Sequence, residues 1–316
     1  MSEAHATFPC FGSTCAVHVS GTGAQEAVER AQRDLLAWHT QFTRFEPDSE
    51  LSRLNADPAP RVRVSAVMAR FVEEVAGAAR ATGGLVDATL LRAIEDAGYR
   101  TDLRGGVPLG MALELAPARA PARPRVGAAW HDVRVDHATL EVQRPPGLAF
   151  DSGGIAKGLF ADLLGRRLRA FDAFAVDCGG DLLLGGASGI TREVNVASPF
   201  AESETLHTFA ISGGGVATSG IGRRSWLDAD GRPAHHLLDP ATGRPAFTGI
   251  VQVTALAPRA VEAELRSKAA LLSGPDRAAE WLPDGGVIVF DDGSSAIIEP
   301  REGITPDGHV RAPAAP

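Results

Sequence analysis

Residues 150–162, FDSGGIAKGLFAD, constrain this chain more than any other stretch. The apolar run 148–150 reads as a strand. It leads through an acid and two glycines into a helical pattern over 159–171. Strand, glycine turn and helix start is the arrangement that aims backbone N–H groups at an anion. Lys157 falls in the first helical turn, where the helix dipole mildly disfavours a cation. A lysine placed there against that preference points to an anionic partner such as a phosphate. The alternative is a tight turn with a solvent-exposed lysine. A lysine at a helix start also adds little to stability, so its loss is expected to appear in ligand affinity. The stretch is neither a GxxxxGK[ST] P-loop nor a GxGxxG dinucleotide fingerprint.

Such an anion has to be met locally. The formal net charge is −8, which argues against a basic nucleic-acid footprint and leaves glycine amides, Lys157 and arginine clusters to hold it. At 316 residues the chain can bury a large core in one domain or two lobes. The three cysteines, Cys10, Cys15 and Cys178, are odd in number and show no metal spacing, so free thiols in a reducing compartment are expected. The start, MSEAHATFPC, has no basic segment followed by an apolar one, and no apolar run is long enough to span a membrane. The expected location is the cytoplasm.

Along the chain, CAVHV (15–19) alternates as a strand, and Ala24–Phe42 has helical spacing with Ala27, Ala31, Leu35, Trp38 and Phe42 near one face. Asp48 or Ser49 can cap a short helix carrying Leu51 and Leu54, and 67–81 reads as an amphipathic helix closed by Gly83 and Gly84. Residues 102–124 read as a loop excursion. Strands are expected over 173–177, 193–197, 205–211, 216–220 and 250–257, a helix over 260–272, and a closing hairpin over 287–298. Strands and helices mix without strict alternation, so the class expected is α+β in two lobes with mixed or antiparallel sheets. The expected organisation is a tail over 1–7, a domain over 8–300 and a second tail over 301–316.

The motifs FGST, SELSRLN, DSGGIAKG, CGGD, TSG, HHLLDPATG and AELRSKAALLSG occur in this order, and together the set resembles the FAD:protein FMN transferases, the ApbE family. The most specific elements are DSGGIAKG and HHLLDPATG, about eighty residues apart. The resemblance implies FAD in a cleft between two lobes. It also implies cleavage of the FAD pyrophosphate, transfer of FMN to a Ser or Thr hydroxyl of an acceptor flavoprotein, and release of AMP. A divalent metal, usually Mg²⁺, would neutralise the pyrophosphate. The two other outcomes to weigh are FAD hydrolysis to FMN and AMP, and FAD binding without chemistry.

Carried onto this sequence, the resemblance places flavin contacts at Phe11, Gly12 and Ser13, with Phe11 departing from the family's methionine, and at Phe45 and Leu238. The family's Phe-Asp-x-Thr segment falls on Val86, Asp87, Ala88 and Thr89, next to Leu85. Asp151 matches the acid on the adenine side, Gly153 the glycine turn and Lys157 the FAD-binding lysine. Thr218 and Ser219 offer hydroxyls near the loop, or simply end a strand. Asp181 supports the flavin pocket or caps its turn. His235 or His236 is the candidate base for the incoming hydroxyl, His236 being preferred, because a neutral imidazole suits that role near pH 7.

The implied metal set is Gly154, Glu264, Ser267 and Lys268, and here the chain departs from the pattern. The family has Asp and then Thr four residues later, where this chain has Glu264 and Lys268. A protonated lysine offers donors and no acceptor, so it is a poor ligand. The two residues can form a solvated i,i+4 bridge on the helix. Alternatively, the Lys268 ammonium stands where Mg²⁺ would and meets the phosphates itself.

Overall fold

The computed structural model of the chain describes residues 2–101, 106–201 and 203–301. Strands β1 (Glu3–Cys10) and β2 (Ser13–Ser20) open it as a hairpin. Both turn residues, Phe11 and Gly12, have positive φ (53° and 65°), the twist that a two-residue type I′ turn requires. Helices and strands α1 (Ala24–Phe42), α2 (Glu50–Ala56), β3 (Arg61–Arg63), α3 (Ala66–Ala81), α4 (Leu91–Asp96) and α5 (Leu109–Glu114) follow. The apolar stripe of α1 is buried as its spacing predicts. Ser49 and Ser65 cap α2 and α3, accepting the N–H of Ser52 at 3.0 Å and of Met68 at 3.2 Å.

Next come β4 (Arg134–Asp136), β5 (Glu141–Gln143), α6 (Ala156–Leu168), β6 (Ala173–Cys178), β7 (Asp181–Gly185), β8 (Arg192–Ala197), β9 (Thr205–Ile211) and β10 (Gly214–Gly220). The last described elements are β11 (Ser225–Leu227), β12 (Pro233–His235), β13 (Leu238–Asp239), β14 (Arg244–Pro245), β15 (Ile250–Ala257), α7 (Ala260–Ser273), α8 (Pro275–Ala278), β16 (Gly286–Phe290) and β17 (Ser295–Ile298).

Eight strands form one sheet in the order β1-β2-β6-β7-β10-β15-β16-β17, each pair antiparallel. Helices α1, α6 and α7 pack against it. Phe160 of α6 meets Trp38 and Phe42 of α1 at ring-centroid distances of 5.1 and 5.0 Å. These rings belong to one hydrophobic cluster with Val17, Val176, Val253 and Val289, so the helices and the sheet of this α+β fold share a core. A smaller cluster joins the β8–β9 hairpin to the sheet, with Val194, Phe209 and Ile211 packed with Leu184, Val216 and Leu256.

Helices α6 and α7 approach closely at Gly158, where a Cβ would lie 2.6 Å from Val261 Cα and 2.7 Å from Val261 N. Backbone atoms cannot swing aside as a flexible side chain can. Gly158→Ala should therefore cost about 3 kcal/mol, the upper part of the usual overpacking range. Urea unfolding should show a lower midpoint, and a midpoint equal to that of the parent would mean that the two helices separate freely.

Three expectations need correction. Residues 3–7 of the expected tail supply most of β1, in which Ala4 and Phe8 are buried and His5 and Thr7 exposed. The run 148–150 is not a strand. Phe150 instead exchanges both backbone hydrogen bonds with one side chain: Asn55 Nδ2 donates to Phe150 O at 2.9 Å, and Phe150 N donates to Asn55 Oδ1 at 2.7 Å. The excursion over 102–124 contains α5, while its residues 102–105 lie outside the described residues. Of the C-terminal tail, 302–316 also lie outside them. All three cysteines are free and buried. Among the described residues no helix is long and apolar enough to cross a membrane.

Candidate active site at the glycine turn

Lys157 lies in the first turn of α6, as the sequence predicts, but it already has a protein partner. Its Nζ is 2.5 Å from Asp181 Oδ2 at the start of β7 and 3.5 Å from Gly179 O. Burial disfavours the ammonium, yet the charges of Asp181 and Glu264 outweigh burial and hold its pKa above the ordinary value. Asp181 is only 1% exposed, and burial lifts its pKa to about 6 although Lys157 opposes the rise. Its neighbour Asp177 caps the turn, Oδ1 accepting the Gly180 N–H at 2.7 Å. Gly179 has φ +73° and brings this turn against Ser13, where a Cβ would lie 2.9 Å from the serine Cβ.

On the other side stands α7. Asp162 of α6 accepts the Ala260 N–H at 2.8 Å and the Val261 N–H at 3.3 Å, satisfying the donors at the start of α7 and fixing its position. One turn on, Glu264 is fully buried. Its Oε2 accepts the Gly158 N–H at 2.9 Å, and its Oε1 accepts from Lys268 Nζ at 2.8 Å. Burial would raise the Glu264 pKa, but Lys268 and Lys157 hold it below the ordinary value. Ser267 Oγ shares a 2.8 Å hydrogen bond with Ser219 Oγ, and Thr218 Oγ1 one with Thr254 Oγ1 at 2.8 Å. Glu264 and Lys268 are thus a buried pair and not the solvated bridge that i,i+4 spacing also allows.

A cavity of about 1460 Å³ opens between these elements. Its wall includes Gly12, Ser13, Gly153, Lys157, Gly179, Gly180, Thr218, Ser219, Arg223, Arg224, His236 and Lys268, and it continues to residues of β8. A second cavity of about 60 Å³ is lined by Leu85, Val86, Asp87, Asp151, Gly154 and Leu238, and shares Gly153, His236 and Lys268 with the first. Asp151 and Leu238, assigned by resemblance to opposite ends of FAD, therefore share one small cavity. Burial raises the pKa of Asp87 and of Asp151, the latter against the pull of Arg44.

The two histidines part company. His236 stands in the wall of both cavities, its Nδ1 3.5 Å from Arg224 O. Burial first, then Arg224, His235 and Lys268, keep its pKa well below the ordinary value. His235 lines neither cavity. It is 1% exposed and lies edge-on to Phe247 at 4.8 Å, and its Nδ1 accepts the Leu237 N–H at 3.3 Å. Burial takes its pKa down to about 3. His235 is therefore packed in the core, away from both cavities, and His236 is the histidine that reaches them.

Phe11 and Phe45 line neither cavity either. Phe11, held at positive φ, stacks on Phe160 at 5.2 Å, and its carbonyl accepts from Arg224 Nη2 at 3.0 Å. Phe45 is 38% exposed and belongs to an aromatic group with Tyr99 and Trp226. Between them sits Arg44, a residue the motifs did not single out. Its guanidinium carbon lies 4.5 Å from the Phe45 and Tyr99 ring centres, and its Nε 3.6 Å from Asp151 Oδ1. The sequence signal that could have found it is an arginine next to Phe45, a few residues before SELSRLN.

The implied metal set does not fit a divalent ion. Mg²⁺ requires near-octahedral oxygen ligands at about 2.0–2.1 Å. Glu264 Oε1 is tied to the Lys268 ammonium and Oε2 to the Gly158 amide, Ser267 is bonded to Ser219 and to Glu264 O (3.1 Å), and Lys268 presents donors and no acceptor. Among the described residues no group of three or more His, Cys, Asp or Glu is placed to hold a metal.

The fold is antiparallel α+β, with a glycine-edged cleft whose wall carries Lys157, Arg223, Arg224 and Lys268. The chain belongs to the ApbE family, whose profile matches residues 11–290. It is 28% identical over 282 residues to the FAD:protein FMN transferase of Escherichia coli (strain K12), covering 84% of this chain and 76% of that one. It is 29% identical over 294 residues to the enzyme of that name from Salmonella typhimurium, covering 88% and 81%. In structure it resembles the ApbE protein of Thermotoga maritima (TM-score 0.77, 24% identity, 94% and 97% covered). It also resembles the apo flavinyl transferase ApbE of Pseudomonas stutzeri (TM-score 0.73, 22%, 94% of each).

Proposed function

We propose that this protein is an FAD:protein FMN transferase, moving FMN from FAD to a Ser or Thr hydroxyl of an acceptor flavoprotein and releasing AMP. The observation that carries this reading is one cavity wall holding Lys157, Arg224 and Lys268 beside Gly153, with the neutral imidazole of His236 among them. The cations meet the pyrophosphate, since phosphoryl transfer depends chiefly on positioning and charge stabilisation. The acceptor oxygen attacks the FMN phosphorus, and His236 takes the hydroxyl proton. The P–O bond to the AMP side breaks, and AMP leaves with the bridging oxygen and its electron pair. No part of this step is assigned to Mg²⁺, because the Lys268 ammonium, which has no lone pair to offer, stands where the family pattern has a hydroxyl ligand and is bonded to Glu264.

The test is mass spectrometry of an acceptor flavoprotein after incubation with FAD. An added FMN group with one AMP released per label supports transfer. AMP without label makes the protein an FAD hydrolase, and neither product makes it a binder. Because the cations address the pyrophosphate, FAD should bind at least about tenfold more tightly than riboflavin, the value of one charge-assisted hydrogen bond. Equal affinity by calorimetry would remove the pyrophosphate from the site.

A further inference from the structure

We infer that the Lys268 ammonium is a built-in cation that replaces the divalent metal at the pyrophosphate, so that FAD binding is independent of metal. The inference rests on the FAD reading above.

Three observations carry it. Lys268 is one of the three residues shared by both cavities, with Gly153 and His236, so it stands where the two cavities meet. It is 7% exposed, and its hydrogen bond among the described residues goes to Glu264 Oε1. An ammonium has three donors, so two remain for a ligand at a place where burial makes unmet donors costly. The Glu264 carboxylate is turned to this use, one oxygen fixed by the Gly158 amide and the other orienting the ammonium.

The charges agree in sign. Lys157, Arg192, Arg223, Arg224 and Lys268 stand in the cavity wall against Asp177 and Glu193, and with the lysine partners Asp181 and Glu264 included the set still leaves one positive charge for an anion. A divalent ion added here would share the cavity wall with Lys157, Lys268 and Arg224 and be repelled by each of them.

The experiment is flavin-fluorescence titration with FAD after EDTA treatment and desalting, with and without millimolar Mg²⁺. The dissociation constant should be the same in both within about twofold, one kilocalorie per mole being about fivefold. FAD affinity that rises tenfold or more with Mg²⁺ overturns the inference and leaves the FAD reading standing. No FAD binding in either buffer overturns both. Removing Lys268 alone strands the Glu264 charge, so the matching variant is the double Glu264→Gln/Lys268→Met, which keeps volume and takes away both charges. If it folds, it should bind FAD about tenfold or more weakly, with no rescue by Mg²⁺. Unchanged affinity would make the pair purely structural. A second double, Glu264→Asp/Lys268→Thr, should gain Mg²⁺-dependent FAD affinity, and if it binds FAD as the parent does in EDTA, Lys268 is not the cation that matters.

Discussion

His236→Ala should slow FMN transfer by about a hundredfold or more while FAD remains bound, which is the usual worth of a general base. The imidazole is placed for that role by its neighbours. With its N–H on Nδ1 facing the Arg224 carbonyl, the lone pair falls on Nε2. Burial and the cations Arg224 and Lys268 keep the free ring neutral below its ordinary value of 6.5. The free enzyme thus loses no base from this group between pH 8 and 6.5, and kcat/KM should be flat there on its account. His235→Ala is the control. It removes a buried ring packed on Phe247, so it should lower stability and leave transfer by the folded fraction intact. If His235→Ala stops transfer and His236→Ala does not, the roles are reversed.

Both rings also predict acid sensitivity of the fold. His235 stays neutral down to about pH 3 when folded, whereas an unfolded histidine takes its proton near 6.5. The unfolded chain therefore binds more protons in that window, and stability should fall as pH drops from about 6.5 towards 3.

The long amphipathic helices were legible because period alone decides them: α1 and α3 lie within a residue of where spacing puts them. So were β15 and the closing hairpin, whose apolar strands sit in the sheet interior or pair locally. What stayed hidden depends on partners distant in sequence. Residues 148–150 look like a strand because they are apolar, and only the fold shows that a side chain, Asn55, takes the ladder partner's place. β1 alternates, but through small alanines that carry weak signal. The motifs named the glycine turn, His236 and the Glu264–Lys268 pair, yet not the contacts that give them meaning. Nothing local in SGGIAKG reveals that Lys157 faces a buried acid on another strand, or that a glycine amide holds Glu264.

That hidden partner reverses one expectation from the sequence. A lysine at a helix start should matter little to stability, but here it neutralises a carboxylate that is 1% exposed. Lys157→Ala should therefore cost about 3–5 kcal/mol, the usual result of removing one member of a buried pair. The loss should depend on pH. Folded Asp181 titrates at about 6 against an ordinary 3.8, so the folded state holds the proton longer and stability already declines as pH rises between those values. Without the lysine charge the folded carboxyl holds its proton to still higher pH, which extends the decline upward. The variant should be nearer the parent at pH 5 than at pH 8. Adding Asp181→Asn removes the stranded charge and should recover most of the lost stability at pH 8. FAD affinity separates the two roles of the lysine. In Lys157→Ala/Asp181→Asn the fold is restored but the cation is not, so FAD should still bind about tenfold or more weakly than to the parent. If affinity returns together with the melting temperature, Lys157 serves the protein alone, and the anion belongs to Arg224 and Lys268.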